Sequence, residues 1–149
     1  MEVNTPLIEA KALKKYFKLG ENRYLHAVDN INLQIYKGTT VGIVGESGCG
    51  KSTFGRTLLR LTEATSGEIL YCGENILTFG RQKMKQMRKN MQIIFQDPYA
   101  SVDPRKSVVE IIAEYMLIHH SYPTRREIFN RAAQLMDIVG LARRTENSY

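Results

Sequence analysis

Eight residues of this chain stand in an order that builds an anion site. Gly45-Glu46-Ser47-Gly48-Cys49-Gly50-Lys51-Ser52 fits the spacing G-x-x-x-x-G-K-[ST] in full. Gly45, Gly48 and Gly50 let the backbone take positive φ and wrap closely around a ligand. Successive N–H groups then point inward and make a nest for phosphate oxygens. A helix opening at the end of the loop adds the positive end of its dipole and its unpaired first-turn donors. Lys51 brings a point charge to the β- and γ-phosphates. Ser52 offers a hydroxyl to Mg²⁺, which binds through phosphates and few protein oxygens. From average composition, a chance match in a chain of this length is on the order of one in a few hundred. Cys49 inside the loop reads as a small filler rather than a nucleophile, because no histidine stands near it in sequence and nothing there activates a thiol.

Such a loop needs a strand before it and a helix after it. Thr39 to Val44 is short, apolar and β-branched, which predicts a strand buried on both faces, as in a parallel sheet. Phe54, Leu58 and Leu61 are spaced by four and three and predict an amphipathic helix, broken at Thr65-Ser66-Gly67. Upstream, Leu7 to Tyr16 reads as a strand. Tyr24 to Tyr36 alternates, with Ala27, Ile31, Leu33 and Ile35 as one apolar face, and Lys37-Gly38 is a turn. Ile69 to Cys72 reads as a further strand closed by Gly73. A basic helix or loop follows to about Asn90, and Met91 to Phe95 reads as a second buried strand.

After Pro98 the pattern is helical. Ser107 and Glu110 have the spacing of a capping box, as do Thr124 and Glu127. Behind the first, Ile111, Ile112, Tyr115 and Met116 form a stripe. Behind the second, Ile128, Ala132, Leu135, Met136 and Val139 do so, with Gly140 as the C-terminal stop. The expected domains are therefore 1–96, a β-rich part with the first part of a nucleotide-binding core, and 97–149, a partial helical subdomain.

Composition sets the outer bounds. The chain has 149 residues, 43% apolar and 24% charged, with a net charge of +6; this is the make-up of one soluble globular domain rather than a disordered chain. No apolar run approaches a membrane span, and MEVNTPLIEA lacks the pattern of a secretory signal. Two cysteines, Cys49 and Cys72, cannot form a disulfide framework, so the chain reads as cytoplasmic and reduced. Arg81, Lys83, Lys85, Arg88 and Lys89 make the densest basic stretch; it reads as a solvated helix face, and no nucleic-acid partner is expected. His26, His119 and His120 lack the spacing of metal ligands and read as surface or turn residues.

Together, Gly45 to Thr53 and Ile94-Phe-Gln96-Asp-Pro-Tyr-Ala-Ser101-Val-Asp-Pro104-Arg resemble the ATP-binding subunit of ABC transporters. More narrowly, they are similar to the subunits that drive oligopeptide, dipeptide and nickel importers. The resemblance runs the whole chain: Leu61 to Ile69, with its Thr-Ser-Gly-Glu, resembles the segment after the first helix, and Thr124 to Leu141 resembles the helical subdomain. Val102 and Asp103 depart mildly, standing where leucine and asparagine are commoner. The resemblance implies an α/β fold: a P-loop NTPase (RecA-like) core with an N-terminal antiparallel β subdomain and a partial helical subdomain, truncated. It implies ATP and Mg²⁺ as cofactors. Gly45, Glu46, Ser47, Gly48, Cys49, Gly50, Lys51, Ser52 and Thr53 would hold the nucleotide. Lys51 and Gln96 would be the catalytic residues and Ser52 and Gln96 the metal ligands, Gln96 being the Q-loop glutamine. Tyr16 is the first candidate for the aromatic that stacks on adenine, and Phe17 the second. Asp97 to Arg105 would lie near the surface that docks on a membrane subunit. The implied partners are a second ATP-binding subunit, transmembrane permeases and, indirectly, a solute-binding protein, at the cytoplasmic face of the cell membrane.

The resemblance also implies more chain than is present. The signature motif, the strand carrying a second carboxylate, the catalytic glutamate and the switch histidine would all follow Tyr149. Phosphoryl transfer needs metal, water and charge stabilisation together, so the expectation is nucleotide binding without efficient hydrolysis. Thr39–Val44 and Met91–Phe95 would lack sheet neighbours, and the isolated chain is expected to be poorly stable. Three other functions fit parts of the pattern: a non-hydrolysing sensor, a soluble phosphotransferase sharing only the loop, and a nucleic-acid binder using the basic stretch.

Overall fold

A computed structural model describes residues 5–97 and 101–141. Pro98 to Ala100, within the Phe95–Arg105 stretch, and residues 142–149 lie outside the described residues. The chain divides into two compact units, Met1–Gln92 and Ile93–Tyr149.

The first unit is built on an antiparallel sheet of order β2-β1-β3-β4. Its strands are β1 (Ile8–Gly20), β2 (Arg23–Ile35), β3 (Ser66–Tyr71) and β4 (Glu74–Asn75). β1 is central and pairs Ile8 with Ile35 on one side and with Tyr71 on the other. Its register shifts beyond Ala10, where Ala12 has φ 47° and its N–H donates to the Asn32 side-chain oxygen at 2.8 Å. A second irregularity falls in β2: Lys15 faces Val28 but Leu13 faces Ile31, with Asn30 at φ 54°. Each extra residue in a strand turns the following side chains to the other face. The expected apolar face of Tyr24–Tyr36 is corrected accordingly: Val28, not Ala27, is buried, and Ile31 is exposed.

Helix α1 (Lys51–Leu58) lays Phe54, Thr57 and Leu58 inward. Leu61 falls beyond the helix and is exposed, unlike the expected stripe. Arg60 ends the helix region at φ 50° and donates to the carbonyls of Ile76 (2.9 Å) and Phe79 (2.7 Å). That ties α1 to the 3₁₀ turn Ile76–Thr78. Helix α2 (Arg81–Met87) buries Met84 and Met87 and leaves Arg81, Lys83 and Lys85 exposed, as are Arg88 and Lys89 just beyond it. Lys83 pairs with Glu74 and lies 4.0 Å from the centre of the Phe79 ring. The core joins Ala10, Leu13, Val28, Phe54, Leu58, Ile69, Ile76, Met84 and Met87.

Thr39–Val44 and Met91–Phe95 form no strands, contrary to the sequence reading. A parallel strand exists only when its N–H and C=O groups meet neighbours in a ladder. Among the described residues no strand lies beside either segment. The apolar side chains meant for burial are open: Val44 is 95% and Ile94 96% exposed.

The second unit contains α3 (Val108–Ile118) and α4 (Arg125–Ile138), which pack on each other. The Glu110 carboxylate accepts from the Ser107 backbone N–H (2.8 Å) and hydroxyl (2.7 Å). Glu127 accepts from the Thr124 N–H at 3.1 Å, and Thr124 Oγ1 accepts from the Glu127 N–H at 3.2 Å. The seam joins Ala113 and Met116 to Ile128 and Ala132. Tyr115 and Val139, expected in the stripes, are exposed. α4 stops at Gly140, φ 75°, with Gly140 N–H bonded to Asp137 O and Leu141 N–H to Met136 O. That double bond pattern closes a helix through a left-handed residue.

Candidate functional site

Gly45 to Gly50 form a turn that opens directly into α1, whose first residues are Lys51, Ser52 and Thr53. Gly50 caps the helix at φ 97°, and its carbonyl accepts the Phe54 N–H at 2.8 Å. Gly48 is also left-handed, at φ 81°. Gly45 is not among the left-handed glycines, and a Cβ there would meet the tip of the Cys49 side chain, its sulfur at 2.7 Å, and no backbone. Gly45 to Cys49 are exposed, so a ligand can approach their backbone. The Cys49 N–H closes a turn onto Glu46 O at 3.3 Å.

Lys51 sits at the first position of α1 and folds over the loop. Its ammonium donates to Gly45 O at 2.7 Å and Glu46 O at 2.6 Å, and lies 3.6 Å from Cys49 Sγ. Ser52 is exposed on the first turn of the helix, with Thr53 beside it half-buried. The turn therefore holds a cation over a ring of backbone groups at a helix N-terminus, which is the arrangement that takes an oxyanion.

Next to the loop, β2 supplies the opposite wall. The Ala27 carbonyl packs directly against Gly50. A cavity of about 530 Å³ runs between them, bordered by His26, Ala27 and Asp29 of β2, Val41 to Val44, and Gly50, Lys51 and Phe54. Sites of a few hundred cubic ångströms suit small organic ligands.

Tyr16 lies on β1 opposite His26. Its ring stacks on the imidazole at 3.9 Å with planes 13° apart. Its hydroxyl donates to Asp29 at 2.5 Å. That bond holds the Asp29 carboxyl below its ordinary range and, because ionised Asp29 disfavours phenolate, raises the Tyr16 hydroxyl. Phe17 is 37% exposed, with Lys15 Nζ 4.8 Å from its ring centre. Gln96 belongs to the second unit, exposed and outside regular structure. In that unit Asp103 accepts from the Arg105 guanidinium twice at 3.0 Å, and this holds its carboxyl low.

The structure thus places Gly45, Glu46, Ser47, Gly48, Cys49 and Gly50 in one turn, and Lys51, Ser52 and Thr53 on the first turn of α1 that follows it. The contacts of Tyr16 run to His26, Asp29 and Thr65. Sequence reasoning reads His26 as a surface or turn residue and does not single out Asp29. No spacing rule marks either, and only the pairing of β1 with β2 brings them to Tyr16.

A glycine-rich turn that opens a helix, flanked by an antiparallel sheet and followed by a helical unit, is the class of fold found in ATP-binding cassettes. The solved dimeric cassette MJ0796, in a post-hydrolysis state with ADP and Pi, matches 94% of this chain and 60% of its own at a TM-score of 0.76 and 25% identity. A family model described as ABC transporter matches residues 28–149, and the chain belongs to that family. The oligopeptide transport ATP-binding protein OppF of Bacillus subtilis (strain 168) is 47% identical over 144 residues, covering 96% of this chain and 47% of its own length. OppF of Escherichia coli (strain K12) is 38% identical over 151 residues, covering 96% and 45%. The chain spans about half the length of the curated relatives it matches. No helix among the described residues is long and apolar enough to cross a membrane.

Proposed function

We propose that this chain binds Mg·ATP through Gly45–Thr53 and belongs to the ATP-binding subunit of an importer for oligopeptides or similar solutes. The observation that carries the reading is Lys51 folded over an exposed glycine-rich turn at the start of α1. Phosphate oxygens would take the place of the Gly45 and Glu46 carbonyls as partners of the Lys51 ammonium. Ser52 would supply a hydroxyl to Mg²⁺. The metal supplies charge neutralisation between the β- and γ-phosphates when bound. By the resemblance, Gln96 would be the Q-loop glutamine, a metal ligand that reports nucleotide state to a partner. The base would stack on Tyr16, with Phe17 as the second candidate.

The names of the OppF relatives support peptide import, and the cassette MJ0796 was solved as a dimer. The partners in this reading are a second ATP-binding subunit and transmembrane permeases, with a solute-binding protein acting through them. The location is the cytoplasmic face of the membrane. In this reading the chain supplies the phosphate cradle, the Ser52 hydroxyl and Gln96, and by itself hydrolyses ATP poorly. Phosphate release at the rate of a transport ATPase would overturn that part.

Mg·ATP titration of the wild type and of Lys51→Ala tests the central claim. One charge-assisted contact is worth roughly 1.5–3 kcal/mol, so affinity should fall about ten- to a hundredfold. Equal affinity in the two proteins overturns the assignment of the loop.

A further inference from the structure

Between Glu74 and Asp97 the chain has no acidic residue, and Arg81, Lys83, Lys85, Arg88 and Lys89 all fall in that interval. The structure sorts these five cations into two kinds. Met84 and Met87 turn inward to the core, which places Lys83 and Arg88 at the flanks of α2. Both flanking residues are engaged by the sheet unit. Lys83 pairs with Glu74 and sits over the Phe79 ring, and the Arg88 guanidinium donates to the Arg60 carbonyl at 3.4 Å. Helical rotation carries Arg81, Lys85 and, in the closing turn, Lys89 to the side away from the methionines. All three are exposed, as are Gln82 and Gln86 between them. Among the described residues, no salt bridge includes Arg81, Lys85 or Lys89.

Helix stability does not account for this row. The first turn of α2 carries no acidic residue, and a cation there opposes the helix dipole. Like charges four residues apart also repel each other. A local arrangement that works against its own helix points to a function for the surface it makes. The row spans about 12 Å along a convex face, so it suits an extended array of negative charge rather than one enclosed ion. Single-stranded nucleic acid is held by aromatic side chains interleaved with cations, and the outward face has none. Anionic lipid headgroups need no such rings. They attract basic faces by charge, at roughly a fivefold gain in affinity per Lys or Arg.

We propose that the face of α2 bearing Arg81, Lys85 and Lys89 lies against the anionic headgroups of the membrane. The proposal rests on the reading of this chain as part of a transporter's ATP-binding subunit, and it adds a direct lipid contact to the contact with a permease.

The test is sedimentation of the whole chain with vesicles of phosphatidylcholine alone and of phosphatidylcholine mixed with phosphatidylglycerol. Binding to the mixed vesicles should be the stronger and should weaken as salt rises, since exposed charges are screened. Arg81→Gln, Lys85→Gln and Lys89→Gln should each lose about fivefold, and the triple variant about a hundredfold. Lys18→Gln removes the same charge from β1 and should stay within about twofold of the wild type. The triple variant should keep the wild-type circular dichroism spectrum and Mg·ATP affinity. A reading on the wild type covers the case of a variant that fails to fold: bicelles of the mixed lipid should move the amide resonances of residues 81–89, and phosphatidylcholine bicelles should not. Equal binding to both kinds of vesicle, equal losses in Lys18→Gln and Lys85→Gln, an unaltered triple variant, or unmoved resonances would each overturn the proposal. So would tighter binding of a single-stranded or duplex oligonucleotide than of the mixed vesicles through the same three residues. A wild type that binds Mg·ATP but no mixed vesicle would overturn the lipid contact and leave the transporter reading standing. A wild type that fails to bind Mg·ATP would strike the phosphate-loop reading, while the vesicle result would still decide the lipid contact.

Discussion

The backbone carbonyl oxygen of Ala27 occupies the space that a Cβ on Gly50 would need. This contact locks the end of the phosphate loop to β2. It also sets apart two glycines that share a conformation. Gly48 and Gly50 both have positive φ, but only Gly50 has backbone in the way. Gly48→Ala should cost about 1–2 kcal/mol of stability, the penalty for a left-handed L-residue. Gly50→Ala adds displacement of β2 and should cost roughly 3 kcal/mol or more. Urea midpoints of the two variants, measured side by side, should fall in that order. Equal midpoints would mean that the Ala27 contact yields freely.

Leu13 is fully buried in the core of the first unit, where it joins β1 to Val28 and Ile69. Leu13→Ala should therefore cost about 2–5 kcal/mol, as for a cavity in a packed core. Leu19, on the same strand, is 62% exposed, and Leu19→Ala should stay within about 0.5 kcal/mol of the wild type. Chemical denaturation of both variants checks the contrast.

Glu110 gives the helical unit an acid sensitivity. Bonds from the Ser107 hydroxyl and backbone N–H hold its carboxyl below the ordinary range. A depressed folded-state pKa means that the ionised form favours folding. The contribution is present above the unfolded value of about 4.3 and fades as pH falls through the folded value. Glu110→Gln keeps the reach of the side chain but not the charge. Melting temperatures of the two proteins should differ at pH 7 and converge as pH drops below about 4. A gap that widens on acidification would contradict the bonding seen at Ser107.

Val44, at 95% exposure, with Val41 and Ile43 also open, leaves an apolar segment facing solvent. Such segments associate with each other. Light scattering should show mass rising with protein concentration, and Val44→Lys should reduce the rise. The expectation of poor stability is checked in the same experiment. A sharp, reversible melt of a monomer at high concentration would refute both.

Some elements were legible because their signals are short-range. The loop from Gly45 to Ser52, the capping pairs Ser107/Glu110 and Thr124/Glu127, and the stop at Gly140 each depend on residues within one or two turns of chain. Spacing alone therefore identifies them. The strands at 39–44 and 91–95 were misread for the opposite reason. Their β-branched composition describes a buried environment, but a strand also needs a neighbour, and composition does not supply one.

From its sequence alone this protein was committed to a phosphate-gripping turn at the head of α1, with Lys51 and Ser52 at its centre, because φ preferences and donor positions are properties of consecutive residues. What surrounds that turn was decided only by the tertiary structure. The irregularities near Ala12 and Asn30 change which side chains of β1 and β2 face inward. Together with a third register shift, between Lys15 facing Val28 and Tyr16 facing His26, they put Val28 in the core, bring Ala27 against Gly50, and lay Tyr16 on His26. Side-chain direction in a strand reverses with every inserted residue, and where a bulge falls depends on the partner strand. No reading of one segment could have placed those contacts.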